Sequence, residues 1–217
     1  MSFTDNGKDT ATRILDAAEV LFVEHGFEAT SLRMITQRAA VNLAAVNYHF
    51  GSKEVLFQGV ISRRLAPYNQ ECIEELRQAL IDATNGLSVD NILAAYLRPA
   101  IRLAKDPARG GIIFIRLMSR VFAEPHDALR DMLPRLYSDV LEAYRGALVK
   151  ALPHLGPHEV SWRLQFAMGT IFYAFAGNDV ARLLAQNKVP GARDPQEIVK
   201  HLIPFVVAGL TAPSHPA

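Results

Sequence analysis

The chain runs to 217 residues, half of them apolar and 21% charged, which excludes the disordered and collagen-like classes and suffices to bury one good core or a small module joined to a larger one. The net charge of +1 gives no global electrostatic support to nucleic-acid binding. One cysteine, Cys72, cannot close an internal disulfide, no basic-then-apolar leader opens the chain, and the longest nearly unbroken apolar run, 12 residues from Phe166 to Gly177, falls short of the roughly 20 that span a bilayer, so a cytoplasmic protein with no membrane partner is expected.

Strand signals are almost absent and apolar positions recur at three and four residues, so the chain reads as all-α. Ile14, Leu15, Ala18, Leu21 and Phe22 line one face of a first helix, with Asp9 or Thr10 placed to cap its start and Gly26 to end it. Thr30 or Ser31 can cap a second helix carrying Leu32, Ile35 and Ala39. After Ala40 and Val41, Asn42 caps a third short helix from Leu43 to Tyr48. Ser52 caps a fourth, whose first turn holds Glu54, where a negative charge suits the helix dipole. This helix runs past Arg64, and Pro67 is expected to kink or split it. The compact unit before Arg64 contrasts with long, sparsely capped segments after Gly86, which places a domain boundary inside the fourth helix and divides the chain into 1–64 and 65–217. The later helices are expected at Val89 to Ala104, Ile112 to Ala123, Asp127 to Leu152, Pro157 to Gln186 and Pro195 to Leu210, separated by Pro and Gly clusters.

The second and third helices, joined by a tight turn and backed by the first, have the dimensions of a helix-turn-helix that can enter a major groove. Leu32, Ile35, Val41, Val46 and Phe50 supply the apolar underside, and Asn42, Asn47, Tyr48 and His49 face outward. Asn can pair bidentately with adenine, Arg33 can reach guanine, and Tyr and His can donate to phosphate oxygens. Tyr48 and His49 also suit capping or packing of a short helix. Between Thr30 and Arg64 the bases Arg33, Arg38, Lys53, Arg63 and Arg64 stand against the one acid Glu54, an excess that an ordinary solvated face carries as well. Arg63 and Arg64 read as solvated surface.

Three blocks, ILDAAEVLFVEHGF at 14–27, TSLRMI at 30–35 and YHFGSKEVL at 48–56, resemble the TetR family of transcriptional regulators in order and spacing. The resemblance implies that Thr30 or Ser31, Tyr48, His49 and Lys53 anchor backbone phosphates, and that Arg33, Ala44, Ala45 and Asn47 face bases of a double-stranded operator. Ala40 stands where the family has glycine, which the turn tolerates if φ there is negative. Asn47 replaces a tyrosine, an exchange that alters the operator sequence read.

The resemblance further implies that the last two long helices pair with their copies in a homodimer, which predicts an inverted-repeat operator. Val160, Leu164, Met168, Ile171 and Phe175 recur at helical spacing on one helix, as do Ile198, Leu202 and Phe205 on the last, where Pro204 is expected to introduce a bend; the same spacing suits an ordinary monomer core. The helices between Val89 and Leu152 are expected to enclose an effector pocket. Its candidate lining is Phe114, Leu117, Met118, Phe122, Tyr137, Tyr144, Trp162 and Phe166, with Arg116 and Arg163 as partners for an acidic group. Each apolar member also suits plain packing. FIRLM at 114–118, WRLQF at 162–166 and VNLAAVNYHF at 41–50 are similar to a TetR subgroup that responds to long-chain fatty acids or their CoA esters, which implies an acyl-sized pocket with Arg116 at the head group.

Nothing points to an enzyme, a cofactor or a metal. There is no Gly-rich phosphate loop and no nucleophile beside a base, and Gly156 and Pro157 keep His154 and His158 off one helical face. The expected function is thus a ligand-responsive DNA-binding repressor, with DNA, a second copy of the chain and a small apolar effector as partners.

Overall fold

The computed structural model describes residues 9–83, 86–123, 127–175 and 194–214. Helix α1 (Thr10–Ala29) is capped by Asp9, whose carboxylate accepts from the Thr12 amide, and its path breaks at Gly26, where φ is 81° and ψ 170°. A side chain is strained there, so glycine ends the regular helix before one last turn to Ala29. Ser31, Asn42 and Ser52 cap α2 (Leu32–Ala39), α3 (Leu43–Phe50) and α4 (Lys53–Asp82), each accepting from the amide three residues on. The caps fall where the sequence puts them; α3 is two residues longer than expected.

Between α2 and α3 the expectation of a negative φ is corrected: Ala40 is left-handed, at φ 52° and ψ 48°. Arg13 holds the turn in that shape, its Nη2 donating to the carbonyls of Ala39 at 2.8 Å and Ala40 at 2.7 Å. Beneath it, Ile14, Ala18, Phe22, Ile35 and Val46 pack with Leu56, Phe57, Val60 and Ile61 of α4, and the Phe22 and Phe57 rings meet edge-on at 4.8 Å.

Pro67 does not split the chain into two helices; α4 runs through it. Its ring is exposed, so the helix loses one internal hydrogen bond and little packing. The proposed boundary at Arg64 therefore lies within an unbroken element that belongs to both parts of the molecule.

The larger part is built on α4. Around it pack α5 (Val89–Ala104), α6 (Gly111–Ala123), α7 (Met132–Ala151), α8 (Pro157–Phe175) and α9 (Pro195–Thr211), with single 3₁₀ turns at Pro107–Arg109 and Asp127–Leu129. The expected helix from Asp127 begins with the second of these turns, and α7 starts at Met132. Helix α9 passes Pro204 unbroken. The expected extension of α8 over 176–186 lies outside the described residues. Helix α4 packs on α5 and α7, α8 on α6 and α9, and α9 also on α5. Their shared core holds Leu65, Ile92, Leu97, Phe114, Leu148, Val160, Ile171 and Leu210.

Candidate DNA interface, ligand cavity and pairing face

Along the outer side of α2 and α3 the chain exposes Ser31, Arg33, Asn42, Ala44, Asn47, Tyr48 and His49, which are seven of the ten predicted DNA-facing residues. Tyr48 is 86% exposed, its ring edge-on to His49 at 5.1 Å. Asn42 Oδ1 is taken by the Ala45 amide at 2.8 Å, which leaves the carboxamide's NH₂ to donate outward. Gln37, exposed one turn beyond Arg33, joins this face and was not among the candidates; its i, i+4 spacing from Arg33 was the available signal.

Three candidates are corrected. Thr30 is 1% exposed, and its hydroxyl is bonded to the carbonyls of Leu21 at 3.1 Å and Gly26 at 2.7 Å, so it locks the end of α1 rather than holding a phosphate. The Lys53 ammonium turns back onto the carbonyls of Phe27 (3.0 Å) and Thr30 (3.2 Å) and lies 4.2 Å over the Phe27 ring. It neutralises the carbonyl end of α1, which is what a cation does best there. Ala45 packs half-buried against the core.

Arg63 and Arg64, read as solvated surface, instead build the joint between the two parts. Glu19 of α1 is 3% exposed. Arg63 Nη2 reaches its Oε2 at 2.6 Å and Arg64 Nη2 the same oxygen at 3.1 Å, while Arg63 Nη1 also pairs with Asp16 at 2.8 Å. Arg64 Nη1 donates to the Ala108 carbonyl at 3.3 Å, which ties α1 and α4 to the turn before α6. Gly110 lies against this group: a Cβ there would come within 2.7 Å of Glu19 Oε1 and 3.0 Å of Phe114 Cβ.

Between α4, α5, α6, α7 and α8 lies a partly open apolar cavity of about 40 Å³. That is room for about two or three waters. Of the predicted lining, Phe114, Met118, Phe122 and Tyr137 are in its wall. The sequence reading missed Leu65 and Tyr68 from α4 and Tyr96 and Ala100 from α5, because nothing local marks a contact across 30 or more residues. The other predicted lining residues lie elsewhere. Leu117 is buried in the core, Tyr144 lines a smaller void toward α5, and Arg116 is outside the wall. Arg163 clamps the end of α9 through the carbonyls of Leu210, Ala212 and Pro213 and pairs with Glu159 at 2.7 Å. Burial pushes the thiol of Cys72 up to about 12 and raises the phenols of Tyr68, Tyr96, Tyr137 and Tyr144 as well, so all of these stay protonated. Among the described residues no three His, Cys, Asp or Glu side chains come together as a metal site, and no helix is long and apolar enough to cross a membrane.

Each of the two predicted stripes of α8 lies on the side opposite to the one expected. Val160, Leu164, Ile171 and Phe175, expected to pair with a second subunit, are buried within the chain, as is Leu202, while Met168 and Ile198 pack half-buried against that core. Trp162 and Phe166, expected in the pocket, stand 58% and 64% exposed. With Gly169 and Tyr173 they form the outer face of α8, continued on α9 by His201, Pro204, Ala208 and Phe205, which is 68% exposed. Phe205 is the one predicted pairing residue found there. Residues two apart on a helix point about 200° away from each other, so a stripe misjudged by two positions lands on the opposite face.

Known proteins match both halves of this arrangement. Residues 14–60 fit the family described as bacterial regulatory proteins, tetR family, and residues 94–209, over half the chain, fit the tetracyclin repressor-like C-terminal domain. The HTH-type transcriptional repressor BepR of Brucella suis is 28% identical over 160 residues, 73% of each chain. Two solved structures share the fold: the fatty acid degradation regulator FadR of Bacillus halodurans (TM-score 0.64, 16% identity, covering 95% of this chain and 98% of that one), and SmeT of Stenotrophomonas maltophilia in its complex with triclosan (0.62, 23%, 97% and 99%). A capped helix-turn-helix on a helical body, matched by family models over both parts, identifies the chain as a member of the TetR family of DNA-binding transcriptional regulators.

Proposed function

We propose that this protein is a dimeric repressor that occupies an inverted-repeat operator and leaves it when a small apolar molecule fills the cavity. The observation that carries the reading is the outward set Arg33, Asn42, Asn47, Tyr48 and His49 on two short, capped helices whose undersides are fixed in a core. Two such units related by a two-fold axis through the apolar face of α8 and α9 would present α3 to successive major grooves, about 34 Å apart on one side of B-DNA. BepR is a repressor, which supports repression here. The triclosan complex of SmeT supports a small apolar effector. Release follows from α4, which contributes Leu65 and Tyr68 to the cavity wall and carries Lys53, tied to the end of α1, at its other end. A ligand that prefers one setting of α4 shifts the population toward it.

The sequence resemblance names a fatty acid or its CoA ester as a finer form of the effector. The apolar wall suits the chain, but Arg116, the expected head-group partner, is not part of that wall.

Footprinting on DNA upstream of the protein's own gene tests the reading. Two symmetric protected half-sites, centred about one helical turn apart, are expected, and the double substitution Asn47→Ala/Tyr48→Ala should lower affinity at least about tenfold with the fold intact. Protection without symmetry, or none at low salt, would sink it.

A further inference from the structure

The cavity adjoins a more open groove along α7 and α8, and the two share Phe122, Tyr137 and Phe172. Phe122 and Phe172 are stacked at 4.1 Å between ring centres, so parting them joins the two spaces. Neither space is lined by an Asp, Glu, Lys, Arg or His among the described residues. An ionised group entering the cavity would lose its hydration and gain no counter-ion from the described lining, a cost so large that such groups shed their charge instead. Ser119 offers no help, since its hydroxyl is already bonded to the Ile115 carbonyl at 2.9 Å.

In the cavity wall the hydroxyls of Tyr96 and Tyr137 are hydrogen-bonded to each other. Two hydroxyls carry two protons and this bond uses one of them. Among the described residues no protein acceptor takes the second. Burial keeps both phenols protonated, so that proton remains available to whatever enters. A buried donor without an acceptor costs free energy until one is supplied.

We propose that the molecule taken by this cavity is uncharged and apolar and bears an acceptor oxygen, as in a ketone, ether or ester, that bonds to the Tyr96–Tyr137 pair, and that ionised acyl chains are refused. This deepens, and rests on, the reading of the cavity as the effector site. The test is isothermal titration calorimetry of the full-length protein near neutral pH with decan-2-one and decanoate, which match in chain length and differ in charge. The ketone should bind at least about a hundredfold more tightly. Tyr96→Phe/Tyr137→Phe, which removes both hydroxyls and keeps both rings, should weaken the ketone about tenfold. Decanoate binding as tightly as the ketone, or neither probe binding, overturns the proposal, and so does full ketone affinity in a folded double variant. The wild-type comparison decides the charge question even if the double variant fails to fold. Operator binding by the ligand-free protein, measured on the same preparation, separates the two readings: intact DNA binding with a failed probe ratio sinks only the ligand class, and lost DNA binding sinks the regulator.

Discussion

Ala40 sits in a backbone region that crowds an L side chain at a cost of about 1–2 kcal/mol. It stays there because the turn, with two carbonyls bonded to Arg13, is fixed from outside. Ala40→Gly removes the crowding at some cost in unfolded-state entropy, so stability should rise by about 0.5–1 kcal/mol and Tm by about 2 °C, read by differential scanning calorimetry, with operator affinity unchanged. Cys72 supplies a second residue-scale expectation. Its thiol is raised by burial from an ordinary value of 9.0 to about 12. The unfolded chain therefore releases this proton from pH 9.0 upward while the folded chain keeps it, so its stabilising contribution is whole below 9.0 and is lost as pH climbs toward about 12. The buried tyrosines act in the same direction. Denaturant midpoints should fall steeply over that window, and a thiol reagent at pH 8 should label Cys72 only in the unfolded chain. Thr30 and Lys53 mark the limit of sequence reading at this scale: a hydroxyl and an ammonium are legible as donors, but whether their acceptor is a phosphate or the carbonyl end of α1 depends on a fold that brings residue 53 back to residue 27.

Helix boundaries were the most legible feature of the elements, because Asp9, Ser31, Asn42 and Ser52 are caps whose chemistry is local. Helix faces were not. Helix α8 is apolar on two sides, one packing inward through Val160, Leu164 and Ile171 and the other left outward as Trp162, Phe166 and Tyr173, and periodicity alone cannot say which side meets its own chain. The outer face makes the prediction. Phe166→Glu combined with Phe205→Glu should convert a dimer to a monomer in sedimentation velocity while the helical circular dichroism spectrum is kept, since both side chains are more than three-fifths exposed. Val160→Glu, by contrast, buries a charge and should prevent folding. If the outward double substitution leaves the dimer intact, the face is not where the subunits meet.

Across the whole molecule, the all-helical class and the two-part division could be read from pattern and motif, and the cavity only in part. Its wall draws Leu65 and Tyr68 from the same helix that carries the reading unit, and Tyr96 from α5, contacts that exist only once five helices have met. The joint was equally hidden, since nothing in the sequence pairs Glu19 with Arg63 and Arg64 across 44 positions. Removing its carboxylate, as in Glu19→Ala, leaves two guanidiniums, three-quarters or more covered, with only Asp16 and the Ala108 carbonyl as partners, and should cost about 2–3 kcal/mol in denaturant melts.

Gly110 offers a gentler probe of the same joint. Its φ of +99° and the 2.7 Å that would separate an added methyl from Glu19 leave space for hydrogen and nothing larger. Gly110→Ala would act as a shim driven between the head of the molecule and its body, leaving α3 untouched and pressing on the cavity only through Phe114. One carbon atom could then change how the two reading heads of the proposed dimer are spaced on a double helix, with every outward side chain of α2 and α3 still in place, and an operator whose half-sites were moved apart to match would restore the fit.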